Sequence, residues 1–172
     1  MTASKRSILI INPNSTASMT EGLRPLVEAL AFHDSTTYTF FTAPSGPPSI
    51  NNERDAADST THCFPALRPL LAAHDAFLVA CYSPHPLVAA LKAELAVVVD
   101  SSSTIKPVTG IFEASVATAL QIVSSSPPRE KFGIVSTGKV WEEILERAVA
   151  RLLGVEAGGK SPFSTIPYTT IN

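Results

Sequence analysis

Apolar residues along this chain fall into two patterns. Short solid runs alternate with segments in which apolar side chains recur every three or four positions. Ser7–Ile11 is a run dominated by β-branched residues and closed by the turn Asn12-Pro13-Asn14. It reads as a buried parallel strand. From Thr16 to Ala31, Met19, Leu23, Leu26, Val27 and Leu30 keep helical spacing. Ser15 or Thr16 supplies a cap for that helix, and Pro25 should bend it. Thr36–Phe41 reads as a second strand. The Pro-rich stretch Thr42–Ile50 reads as a stiff loop, and Asp55–Ala73 as a helix interrupted at Pro65 and Pro69.

The alternation continues. Ala76–Ala80 predicts a third strand and Pro84–Leu95 a short helix, with Ser83 as cap and Pro84 in its first position. Pro107–Ile111 predicts a fourth strand and Glu113–Val123 a helix. Ser124–Pro128 reads as a linker, Lys131–Val135 as the start of a fifth strand, and Trp141–Leu153 as an amphipathic helix. Leu95–Lys106 fits strand and loop about equally well. Strands alternating with helices define an α/β fold with a mainly parallel sheet. Loops after the strand carboxyl ends then share one edge, where small-molecule sites form. Those loops are Asn12–Thr16, Thr42–Ile50, Cys81–Pro86, Ile111–Ser115 and Ser136–Lys139.

Composition narrows the classes. With 172 residues and 45% hydrophobic content, the chain can bury a real core. A formal net charge of −2 and no Lys/Arg cluster argue against nucleic acid as a partner. No apolar run approaches the roughly 20 residues that span a bilayer. The run Ile8–Ile11 is also shorter than the roughly 7–15 residues of a signal-peptide core. Two cysteines make no disulfide framework, and no Cys/His spacing suggests a metal site. A reducing, cytoplasmic setting is expected.

Chemistry gathers at the predicted edge. Cys81 follows a strand and precedes a helix, where unpaired N–H groups and the helix dipole favour thiolate. A small buried hydrophobe is the plainer account of such a residue. Cys63 falls in mid-helix and reads as structural. Asn12–Thr16 and Ser136-Thr137-Gly138 offer amides, hydroxyls and helix N–H groups able to hold an anion, or merely to cap a turn. Glu113 reads as a helix-start acid. His85, four residues after Cys81, suggests a Cys–His pair or a solvent-facing ring.

Five segments in order resemble the aspartate/glutamate/hydantoin racemase superfamily, and most closely its fungal hydantoin-racemase-like branch. They are Ile10–Thr16, Ala43–Ile50, Ala80–Val88, Pro107–Ser115 and Phe132–Gly138. The resemblance implies a cofactor-independent racemase or epimerase with no metal, built from two similar α/β lobes. A thiol from each lobe would serve as acid or base on a hydantoin-like or amino-acid-like small molecule. Cys81 matches the first-lobe cysteine. Asn14, Ser15, Ser49, Tyr82, Ser83 and, in the second lobe, Thr137 match substrate-holding positions. Residues 1–112 would form a flavodoxin-like first lobe and 113–172 the start of a second.

No counterpart of the family's second cysteine occurs in the tail, so the resemblance implies a chain incomplete at its C-terminus. Such a partial lobe should expose Val135, Ile144, Leu145 and Val149 and pair as a homo-oligomer. A single-thiol decarboxylase or isomerase remains an alternative, as does a non-catalytic anion-binding relic. A flavin binder is the unrelated reading, with Asn12–Thr16 as its phosphate loop. That loop is short of glycine, and no aromatic pair suggests a ring clamp.

Overall fold

The computed structural model describes residues 4–98, 105–123, 130–154 and 169–170. The chain divides into two compact units, Met1–Ile111 and Phe112–Asn172. In the first unit, β1 (Arg6–Asn12), β2 (Thr36–Thr42), β3 (Ala76–Val79) and β4 (Val108–Gly110) form one sheet in the order β2-β1-β3-β4. Every pairing is parallel. Between the strands run α1 (Ala17–Glu28), α2 (Glu53–Leu67) with a 3₁₀ extension (Arg68–Ala73), and α3 (Pro86–Val98). This is the doubly wound, flavodoxin-like order, whose strand sequence reverses between β1 and β3.

Burial follows from position in the sheet. β1 is central, and Leu9, Ile10, Ile11 and Asn12 are all buried in succession. A strand covered on both faces needs such a solid run. The core joins Leu9, Ile11, Phe77 and Val79 of the central strands to Cys63 and Leu67 of α2 and to Leu87, Leu91 and Leu95 of α3. Each buried aliphatic side chain contributes about 1.5–3 kcal/mol. α1 packs against the edge strand β2, with the Arg24 guanidinium 4.5 Å above the Phe40 ring.

In the second unit, α4 (Ile111–Ile122) starts at the division point, and α5 (Val140–Leu152) follows β5 (Val135–Ser136). β5 pairs in parallel with β6 (Thr169–Thr170).

Several expectations need correction. α3 begins at Pro86, two residues later than expected, because His85 and not Ser83 caps it. The Leu87 N–H donates to His85 Nδ1 at 3.2 Å, and the Val88 N–H donates to the His85 carbonyl at 3.1 Å. Pro86, lacking an N–H, takes the first helical position. Ile111–Ser115 is the opening of α4 and not a loop. Pro25 and Pro65 both sit inside helices, and the main change of geometry comes after Leu67, at Arg68-Pro69. Thr16 caps α1 without a side-chain bond to the helix. Ala96 and Val97 are helical, and the linker Ser124–Pro128 lies outside the described residues.

The exposed second-lobe surface is also corrected. Of the four residues expected there, Val135 is exposed, and Ile144, Leu145 and Val149 are buried. Helical spacing puts Trp141, Ile144, Leu145, Ala148 and Val149 on one face of α5, and that face is the buried one. These groups therefore supply no surface for pairing of copies.

The turn after β1 is held by one side chain. The buried Asn12 amide donates to Asn14 Oδ1, the Thr16 carbonyl and Thr20 Oγ1 at 3.0–3.2 Å. Its Oδ1 accepts the Asn14 N–H at 3.2 Å. Since Thr20 Oγ1 accepts from Asn12, its own proton points to Thr42 Oγ1, 2.6 Å away. Asn12→Ala leaves these groups without their partner and should destabilise the fold by about 2–4 kcal/mol. Urea denaturation reads this directly, and a loss under about 1 kcal/mol would contradict it.

Candidate active site at the carboxyl edge of the sheet

The loops after β1, β2 and β3 leave the sheet at the same edge. Parallel pairing sets this, with Ile11 beside both Phe41 and Val79. The first two loops are latched together. The Ser15 N–H donates to the Pro47 carbonyl and its hydroxyl to the Gly46 carbonyl. The Thr16 hydroxyl donates to the Pro48 carbonyl, and the Ala43 N–H is shared between the Asn12 and Asn14 carbonyls. Gly46 has φ +98°, and an added Cβ would stand 3.0 Å from the His62 ring. The positive φ favours glycine there, and an added Cβ would also crowd the His62 ring.

These bonds locate the expected substrate-holding residues. Asn14 Oδ1 accepts from Asn12 and from the Thr16 N–H, while its Nδ2 faces only the weakly accepting Met19 sulfur. The Ser15 hydroxyl proton is committed to Gly46. Ser49 donates to Asn51 Oδ1 at 3.3 Å. The loop after β3 brings Cys81, Tyr82 and Ser83 together. Cys81 is half-buried, Tyr82 is exposed, and Ser83 is 2% exposed. Cys81 Sγ lies 3.2 Å from Ser83 Oγ. Thr137 belongs to the second unit and is exposed.

The two thiols differ in setting. Cys63 is fully buried and donates to the Pro13 carbonyl at 3.2 Å. Ser59 donates to the same carbonyl at 2.5 Å. Burial pushes the Cys63 thiol up to about 11. It braces the turn after β1 from below and is held as a neutral thiol. Cys81 lies two residues past β3, in the loop at the carboxyl edge of the sheet, with a hydroxyl beside its sulfur.

His85 is 3% exposed, which excludes a solvent-facing ring. Burial pushes its pKa down to about 4. Its Nδ1 is occupied as the α3 cap, and Nε2 is buried with no hydrogen-bond partner among the described residues. Glu113 Oε2, at the start of α4, is the other buried side-chain atom without a partner among the described residues. A Pro-His-Pro sequence can point to a capping imidazole, but standard capping preferences favour serine.

A parallel α/β lobe with a cysteine and hydroxyl-bearing loops at its carboxyl edge defines a class of small-molecule sites. Comparison with known proteins identifies the family of the chain. The family profile "Asp/Glu/Hydantoin racemase" matches residues 8–162, and the chain belongs to that family. An uncharacterised Schizosaccharomyces pombe protein is 33% identical over 138 residues, covering 80% of this chain and 52% of its own length. Protein DCG1 of Saccharomyces cerevisiae is 31% identical over 149 residues, covering 83% of this chain and 57% of its own length. The chain thus spans about half the length of the curated relatives it matches.

Two solved structures share the fold. Allantoin racemase from Klebsiella pneumoniae has a TM-score of 0.69 at 24% identity, covering 86% of this chain and 54% of its own. Allantoin racemase from Pseudomonas fluorescens has a TM-score of 0.64 at 22% identity, covering 87% and 56% respectively. Among the described residues, no helix is long and apolar enough to cross a membrane.

Two outcomes follow from this geometry. A hydroxyl donating to sulfur favours thiolate. Ser83→Ala should therefore raise the Cys81 pKa and slow its alkylation by iodoacetamide at neutral pH, and unchanged alkylation would refute the coupling. His85 titrates near 6.5 when unfolded and about 4 when folded, so the unfolded chain binds more protons between these values. Its contribution is complete above pH 6.5 and is lost as pH falls toward 4. The loss should reach about 3 kcal/mol, and His85→Asn should flatten that part of the stability–pH curve.

Proposed function

We propose that this chain acts in the racemisation or epimerisation of a hydantoin-like or allantoin-like compound without a cofactor, with Cys81 as one of two acid/base groups. The observation that carries this reading is the half-buried Cys81 thiol in the loop just past β3, 3.2 Å from the buried Ser83 hydroxyl. Family membership supports the reaction class, and the fold shared with allantoin racemases supports a small cyclic ureide as substrate.

The chemistry is proton transfer at a carbon beside a carbonyl. Cys81 thiolate takes the α-proton, so a C–H bond breaks and an S–H bond forms. The freed electron pair moves onto the carbonyl oxygen. A proton returned to the opposite face inverts the centre. The carbanion must be stabilised by donors aimed at that oxygen. Asn14, Ser15, Ser49, Tyr82, Ser83 and Thr137 are the proposed substrate-holding residues. Residues 1–112 act as the first lobe and residues 113–172 belong to a second. Thiol chemistry of this kind suits a reducing, cytoplasmic compartment.

The sequence contains two cysteines, and Cys63 is sealed and held protonated. Cys81 reaches one face of a planar intermediate, so exchange of the α-proton should outpace inversion. The test is loss of the α-proton signal of allantoin or a 5-substituted hydantoin in D₂O, followed by ¹H NMR. Cys81→Ser should slow that exchange by about 10²–10⁴-fold. An equal rate in the Cys81→Ser variant would overturn the proposal.

A further inference from the structure

His85 carries a polar atom that its structural role does not explain. Capping α3 uses only Nδ1, which accepts the Leu87 N–H at 3.2 Å. A ring that accepts at Nδ1 bears its proton on Nε2. That N–H is buried and without a partner among the described residues, in a residue only 3% exposed. An unpaired buried N–H is a destabilising feature. Serine or asparagine caps a helix without any such cost. The chain therefore bears a penalty that the cap does not require, at a position four residues beyond Cys81 in the same loop.

Resting on the reading of Cys81 as an acid/base group, we propose that His85 Nε2–H is a neutral donor to the substrate oxygen that gains charge when Cys81 removes the α-proton. His85 keeps its proton throughout. Cys81 gains the proton, the electron pair goes to the oxygen, and the Nε2–H···O bond strengthens as charge builds there. A ring held neutral by burial suits this role, because it donates over a wide pH range without carrying a charge. The Leu87 N–H fixes the tautomer, so the donor is set before substrate arrives. Since Nε2 is sealed from water, a substrate oxygen reaches it once the side chains over it yield.

The test pairs kinetics with spectroscopy. His85→Ser keeps an acceptor for the Leu87 N–H and removes the donor, and His85→Asn serves where the serine variant folds poorly. The expected result is a cooperative fold by circular dichroism and α-proton exchange of allantoin slowed by about 10²-fold, mostly in kcat. In ¹⁵N-histidine-labelled wild-type protein, one Nε2–H signal, assigned by its absence in the variant, should move downfield when allantoin is added. That signal is read whether or not the protein turns allantoin over, so it separates this proposal from the assignment of Cys81. Unchanged exchange in a folded His85 variant overturns the proposal. So does an Nε2–H signal that allantoin leaves unmoved.

Discussion

The amide of Asn12 is the constraint on which the candidate site depends. At the carboxyl end of a central parallel strand, the ladder stops supplying partners while the chain remains buried. Asn12 is 2% exposed and ties the following turn to the first helix through three acceptors and one donor. A buried turn without such bonds would be costly. The turn in turn fixes Ser15 and Thr16, which hold the Gly46–Pro48 carbonyls of the next loop. One residue thus sets two of the loops that border the edge, and Ser59 and Cys63 brace the same turn through Pro13.

The same network revises what the polar residues there do. From composition, Asn14 and Ser15 look available to a ligand. In the fold, much of their hydrogen-bonding capacity is committed to the protein. Asn14 retains the amide group facing Met19, and Ser15 retains acceptor capacity only. The loop after β3 differs, for there the sulfur of Cys81 and the hydroxyl of Ser83 face each other. Oxygen-rich turns can therefore be architecture, while a short loop between a strand and a late-starting helix carries the candidate thiol.

The parallel α/β architecture was legible because solid apolar runs and 3.6-residue spacing are strong signals. The existence of each first-unit strand, and the structural role of Cys63, could be read from position alone. The start of α3 could not. Ser83 has the better capping side chain, yet His85 does the capping. Local preference for serine is worth about a kilocalorie per mole, and burying Leu87, Val88 and Leu91 in the core is worth several times that. Packing chose the register, and the cap followed from it. The apolar stripe of α5 was likewise legible as a stripe, but its burial depended on tertiary context that periodicity does not carry.

The displaced helix start has a chemical consequence. Had Ser83 capped α3, its hydroxyl would have been drawn to a helix N–H and away from Cys81. Moving the cap to His85 releases Ser83 to face the thiol at 3.2 Å. It also places an imidazole where one nitrogen is engaged by the helix and the other is not. Pro84 and Pro86 stiffen the backbone on either side of that ring, since each fixes its own φ and restrains the residue before it. Cys81 is thereby followed by a short segment with little freedom, and rigid support of this kind is what precise proton transfer needs. The demands of the core and of the candidate chemistry converge on the same two-residue shift.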